Sequence, residues 1–195
     1  MVGSKIAVPI LISFGLSAVL GPFVIPLLRK MKVGQTVRDD GPGTHLKKTG
    51  TPTMGGILIM LSVTVTSLLY VRDYPQIIPV MVLTMGFGMI GFLDDYIKIV
   101  MKRSEGLKPM QKLLGQIVIT GVFTYYLVNS GEVGTGALIP FTGGFDRGYF
   151  VNFGILYVPF VFVVMLGTDN GMNFTAGLVG LCTSVTILVA TFLTI

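Results

Sequence analysis

The chain has no tryptophan, one cysteine, one histidine and few charges, and each shortage narrows what its 195 residues can be. Charged side chains make up 12% of the sequence, about half the usual share of a soluble domain. Hydrophobic residues make up 52%, with a mean hydropathy of +0.81. That balance excludes an ordinary soluble fold and specifies an all-α polytopic membrane protein. Cys182 has no partner for an intrachain disulfide and falls in the last apolar stretch, where a small core residue is the simplest reading. His45 stands in a polar loop and reads as an ordinary loop residue. No internal repeat or low-complexity segment is present.

Six stretches, 6–28, 53–71, 77–93, 113–128, 153–167 and 177–195, hold no Asp, Glu, Lys, Arg or His. Most approach the roughly 20 residues needed to cross a bilayer as helix. The expectation is six spans in one transmembrane domain, 1–195, with the fifth span beginning near Tyr149. Ion-coupled transporters and voltage sensors place ionisable groups at membrane depth, so a pump or channel is disfavoured and any chemistry belongs at the interface. The first stretch is too long for a signal-peptide core and lacks a small-residue cleavage site, so it reads as a retained anchor. No charge follows Asp169, and the last stretch stops without a polar flank, as a piece of a longer protein would.

The charges that are present are unevenly placed. Arg29, Lys30, Lys32, Arg38, Lys47 and Lys48 lie in one loop, and Lys98, Lys102, Arg103, Lys108 and Lys112 in another, together eleven of the fourteen basic residues. Basic residues concentrate in short cytoplasmic loops, so these two loops face the cytosol and both termini face outward. The net charge of +5 then describes a cytosolic face suited to anionic lipids or phosphorylated substrates, and no nucleic-acid-binding domain. The loop 34–51, with Gly41, Gly43 and Gly50, is expected to be mobile. Between spans four and five, the runs 137–141 and 149–153 flank a glycine-rich turn. They can pair as a small extracytoplasmic hairpin, although a plain connector is the simpler reading.

Three motifs fall on the cytosolic side. In Thr51-Pro-Thr-Met-Gly-Gly56, Thr51 suits an N-cap and Pro52 the first helical position. The unpaired N–H groups of such a helix start, with Lys47 and Lys48 just upstream, can hold a phosphate. A helix start with tight glycine packing explains the same residues. In Gly91-Phe-Leu-Asp-Asp-Tyr-Ile-Lys98, two carboxylates close an apolar stretch. If that helix ends there, its negative terminus disfavours both anions by up to about 1 kcal/mol each, and a metal ion or polyphosphate complex should compensate. Adjacent Asp residues project about 100° apart, so one can bind a cation while the other serves as base or acceptor. Asp94 and Asp95 are therefore the candidate catalytic pair and the candidate ligands of Mg²⁺, which commonly uses one or two carboxylates plus substrate phosphates. In Gly167-Thr-Asp-Asn-Gly-Met-Asn-Phe-Thr-Ala-Gly-Leu-Val-Gly-Leu181, the amides of Asn170 and Asn173 share a face if the segment is helical and suit a nucleobase, ribose or phosphate.

With these motifs, and with Thr44-His-Leu-Lys-Lys-Thr-Gly-Thr-Pro-Thr-Met-Gly-Gly56 in full, the chain resembles phospho-N-acetylmuramoyl-pentapeptide transferase over essentially its whole length. This family belongs to the polyprenyl-phosphate sugar-1-phosphate transferases. The resemblance implies a ten-helix fold with a cytosolic cleft in the bacterial inner (plasma) membrane. It also implies Mg²⁺-dependent transfer of phospho-MurNAc-pentapeptide from its UDP carrier to undecaprenyl phosphate, giving lipid I and UMP in peptidoglycan synthesis. The implied partners are UDP-MurNAc-pentapeptide, undecaprenyl phosphate and membrane lipids, with a homodimer left open. Asp94 and Asp95 correspond to the active-site pair, and Lys48, Thr53, Lys112 and Asn173 to polar positions of the cleft. The family pattern Asn-x-Thr-Asp-Gly-x-Asp-Gly is broken at Ala176 and Val179, and later segments carrying another aspartate and a histidine-rich loop do not occur within these 195 residues. The expectation is an impaired or inactive transferase. The alternative is a non-catalytic binding or assembly module that retains part of the cleft.

Overall fold

The computed structural model describes residues 2–30, 54–101, 105–131, 134–139, 142, 148–176 and 180–194. Six α-helices account for most of them: α1 (Val2–Lys30), α2 (Gly56–Tyr70), α3 (Ile77–Met101), α4 (Pro109–Asn129), α5 (Tyr157–Thr175) and α6 (Leu181–Thr194). Two short strands, β1 (Gly136–Ile139) and β2 (Tyr149–Asn152), and a 3₁₀ turn at Gly154–Leu156 stand between α4 and α5. By length and composition, three segments can each cross a membrane: Lys5–Lys30, Ile77–Met101 and Gly154–Thr175. The helices α2 and α6 are apolar but shorter. The chain is an all-α polytopic membrane protein with one small hairpin.

Burial follows lipid rather than water. Among the described residues the fully buried side chains are polar, Ser62, Gln116 and Thr120, with Thr66 and Thr124 nearly so. Phe14, Phe23, Tyr125, Val163 and Leu188 are each more than 70% exposed. A bilayer solvates such an apolar exterior and favours small or polar residues where helices meet. The hydroxyls satisfy themselves locally: Ser62 Oγ donates to the carbonyl of Leu58 at 3.0 Å, Thr66 Oγ1 to Ser62 at 2.8 Å and Thr124 Oγ1 to Thr120 at 2.7 Å. Each of these three bonds runs back one helical turn and keeps its donor from facing hydrocarbon; among the described residues the Thr120 hydroxyl is buried without a partner.

The chain divides into two compact units, 1–113 with 189–195, and 114–188. In the first, α2 packs against both α1 and α3. Gly88 on α3 is the close approach, because a Cβ there would meet the Met60 side chain of α2. In the second, β1 and β2 pair antiparallel with Ala137 opposite Val151 and Leu138 opposite Phe150. The Phe150 ring lies where a Cβ on Gly136 would stand. The pairing of the two runs that flank the turn is thus realised.

Several boundaries differ from those read in the sequence. The second helix begins at Gly56, with Gly55 in the capping position and no side-chain cap; Thr51, Pro52 and Thr53 lie outside the described residues. The third continues eight residues past Leu93, to Met101. The fifth begins at Tyr157, because Tyr149–Asn152 is committed to the hairpin, and it continues to Thr175 through residues expected to form a junction. An uncharged run marks where lipid can surround a helix, whereas backbone hydrogen bonding extends the helix as far as its side chains find partners.

Candidate functional site

In the first unit the acidic pair sits within α3, a turn and more before its end, rather than on its last turn. The helix-terminus penalty expected from the sequence therefore does not arise, and the neighbouring side chain supplies the counter-charge. Lys98 Nζ lies 2.7 Å from Asp94 Oδ2 and 3.3 Å from Asp95 Oδ1, at i+4 and i+3. A carboxylate N-terminal to its lysine at this spacing is the favourable orientation on a helix. The side chains of Asp94, Asp95 and Lys98 are 17%, 33% and 34% exposed, so the cluster is shielded but reachable.

A second contact fixes Asp94. Its other oxygen, Oδ1, accepts the backbone N–H of Leu107 at 2.8 Å. The loop comes this close because residue 106 is glycine: a Cβ there would stand 2.6 Å from the Asp94 carbonyl oxygen and collide with the carboxylate as well. Two residues beyond Leu107, α4 starts with Pro109 in its first turn. There the Gln111 side chain accepts the N–H of Lys108 at 3.0 Å, half of a capping box. Lys112 follows in that first turn, half-buried. Asp94 thus holds the entry to α4 as well as the charge cluster.

In the second unit α4 and α5 are joined by one fully buried amide. Gln116 donates through Nε2 to Asp169 Oδ2 and accepts through Oε1 from Asn170 Nδ2 at 3.0 Å. The remaining Nδ2 hydrogen of Asn170 goes to the carbonyl of Leu166 at 2.9 Å. Both amide hydrogens of Asn170 are therefore consumed, and what it retains is its oxygen. Asn173 lies one turn further along α5 and is exposed, so the two asparagines share a helical face as their spacing predicts. Ala176 stands just past the end of α5, and its N–H donates to Met172 at 2.9 Å.

The structure brings Asp94, Asp95 and the start of α4 together in one unit, and Asn170 with Asn173 on α5 in the other. Lys48 and Thr53, together with Lys47, His45, Val179 and the loop 34–51, lie outside the described residues. Sequence reading passed over Gln116, Asp169, Gly106 and Leu107. A signal existed for the first two, since Gln116 is an amide inside an apolar stretch and Asp169 is the one acidic residue between the apolar stretches 153–167 and 177–195. None existed for Leu107, which contributes only its backbone.

The donor set can be tested for a divalent ion. Among the described residues no group of three or more His, Cys, Asp or Glu side chains converges. The pair at 94–95 offers hard carboxylate oxygens, partly exposed and already grouped around one cation. This suits Mg²⁺, which takes its remaining ligands from water and phosphate.

Residues 77–195, which include both clusters, match the family model described as Glycosyl transferase family 4. The chain belongs to that family. Family-4 relatives similar to it carry the name phospho-N-acetylmuramoyl-pentapeptide-transferase. One from Acetivibrio thermocellus is 46% identical over 185 residues, covering 95% of this chain and 54% of the relative. One from Clostridium perfringens strain 13 is 42% identical over 194 residues, covering 99% and 59%. One from Clostridioides difficile is 43% identical over 182 residues, covering 93% and 55%. This family-4 chain therefore spans a little over half the length of the curated relatives it matches.

Proposed function

We propose that the protein is a sugar-1-phosphate transferase of the bacterial plasma membrane, acting at its cytoplasmic face. The reaction moves phospho-MurNAc-pentapeptide from UDP-MurNAc-pentapeptide to undecaprenyl phosphate, giving lipid I and UMP. An oxygen of the lipid phosphate forms a bond to the sugar-bearing phosphorus as the bond from that phosphorus to the UMP oxygen breaks, and UMP leaves with the electron pair. Two anions must meet in this step, so neutralisation and alignment matter more than covalent help. The observation that carries the reading is the Asp94–Asp95–Lys98 cluster, half-shielded on a membrane helix and buttressed by Leu107, in a chain whose relatives bear the transferase name.

In this reading Asp94 is the fixed member, with both oxygens engaged, and Asp95 is the freer carboxylate that orients or deprotonates the lipid phosphate. Lys98 neutralises the pair and can turn towards incoming phosphate. Lys48, Thr53 and Lys112 contribute polar groups to the diphosphate end, and Asn170 and Asn173 to the nucleoside end. Asp94 and Asp95 are the residues that would hold Mg²⁺, which when bound offsets diphosphate charge.

The test is lipid I formation, read as UMP release from UDP-MurNAc-pentapeptide in the presence of undecaprenyl phosphate and Mg²⁺. It compares the 195-residue chain with the same chain continued by the remaining length of its C. perfringens relative. The continued chain should turn over, Asp95→Asn should reduce its rate at least about a hundredfold, and Ala176→Asp with Val179→Asp should raise it. A continued chain that folds, binds the UDP substrate and forms no lipid I would remove the catalytic assignment in favour of a binding module.

A further inference from the structure

The hairpin between α4 and α5 has a surface that suits neither bulk water nor the packed interior of a protein. On one face Leu138 and Phe150 are opposite each other and 60% and 68% exposed. On the other, Ile139 is opposite Tyr149, which is 67% exposed. The 3₁₀ turn that follows adds Ile155 and Leu156, 90% and 65% exposed. Among the described residues of 134–139 and 148–157 none is charged. A two-stranded ribbon with apolar side chains on both faces is marginal in water. Docking onto a protein surface would cover one face and leave the other wet.

The hydrocarbon interior fails for a different reason. Two strands have two outer edges, and their unpaired N–H and C=O groups cannot be satisfied by lipid tails. The membrane–water interface alone meets both demands, since headgroups and water serve the edges while acyl chains and carbonyls surround the apolar side chains. The position of the ribbon fits, because the membrane-crossing segment Gly154–Thr175 begins two residues after β2 ends.

The ribbon is also tied to that helix. Asn152 Oδ1 accepts both the N–H of Gly154 at 2.9 Å and Thr135 Oγ1–H at 2.7 Å. The Phe153 ring stacks on Phe160 of α5 with centroids 5.1 Å apart. The depth of α5 therefore sets the depth of the hairpin. We propose that the paired strands 136–139 and 149–152, with the 3₁₀ turn 154–156, form an interfacial anchor lying in the headgroup region of the membrane, with both faces in contact with lipid.

Because the chain contains no tryptophan, single substitutions report without background. Phe150→Trp and, on the opposite face, Tyr149→Trp are reconstituted as the full chain in phosphatidylcholine–phosphatidylglycerol vesicles whose acyl chains are brominated near the glycerol or near the methyl end. Val163→Trp, near the middle of the crossing segment Gly154–Thr175, serves as the deep control, and circular dichroism confirms that each variant keeps its helix content. If Phe150→Trp fails to fold, Leu138→Trp replaces it on the same face. The anchor requires blue-shifted emission at both hairpin positions and quenching about twofold stronger by shallow than by deep bromines, as an element buried roughly 5–10 Å demands. The control should show the reverse order. Iodide-accessible, red-shifted emission at either position would overturn the proposal, and so would blue-shifted emission that no bromine quenches, which is the signature of a protein cover.

Discussion

Gly106 shows how much one missing side chain can decide. Its bare Cα lets the 105–108 segment lie against Asp94, so that the Leu107 N–H reaches the carboxylate and the start of α4 is anchored to α3. Gly106→Ala forces the loop off or turns the carboxylate away, an overpacking cost of about 1–3 kcal/mol. The expected result is a lower thermal midpoint in detergent, with a larger loss of activity in the continued chain than Gly91→Ala, where a Cβ would meet nothing within 4 Å. Gln116 is the second such residue. Gln116→Leu leaves the buried edge of the Asp169–Asn170 pair without its partner, a loss of about 1–3 kcal/mol. Gln116→Glu should be worse, because it sets a carboxylate against Asp169. The double variant Gln116→Glu with Asp169→Asn restores a donor facing an acceptor and should recover much of the midpoint. If the two single variants and the double variant melt alike, the amide does not orient the pair.

At the scale of elements, the sequence and the structure part company at helix ends. The existence of the helices was legible because each has an uncharged stretch of suitable length, and the hairpin was legible from two β-prone runs around a glycine-rich turn. The end of α3 was not. Asp94, Asp95 and Lys98 read as a polar boundary, whereas in three dimensions their mutual pairing and the Leu107 contact let the helix run on to Met101. The same holds for α5, where Asp169 and Asn170 find Gln116 across the gap and the helix reaches Thr175. Partners on another helix cannot be seen in linear order. Hydrogen exchange distinguishes the two pictures: amides of 96–101 should exchange slowly, like those of 85–92, and much more slowly than those of 105 and 106. Fast exchange from residue 96 onward would return the pair to the helix terminus. For the charge cluster itself, Lys98→Met leaves two adjacent carboxylates without their cation. The variant should be destabilised at low divalent-ion concentration and regain its melting midpoint as Mg²⁺ is added, while the unsubstituted chain responds less. Equal response of the two would mean that Lys98 and the ion do not share a site.

For the whole molecule, the ordering of polarity is the reverse of a water-soluble protein, and that reversal makes a measurable claim about solvent. Val163, near the middle of the crossing segment Gly154–Thr175, is 73% exposed. On a soluble helix an exposed valine replaced by arginine changes stability by a few tenths of a kcal/mol at most. In a bilayer the same substitution near the helix centre opposes insertion by about 2.5–3.5 kcal/mol, and the adjacent segments offer no compensating charge, since 153–167 contains none. Val163→Arg should therefore shift α5 from mostly inserted to mostly uninserted in a translocon assay with glycosylation acceptors on either side of the segment. Phe174→Arg, one residue from the end of the same helix and 84% exposed, should be tolerated because the side chain can reach the interface. The contrast matters more than either value, since both positions are exposed and differ chiefly in depth. If the two variants insert equally well, the exposed apolar surface of α5 faces something other than lipid, and the depth assigned to the hairpin fixed to it goes with that surface.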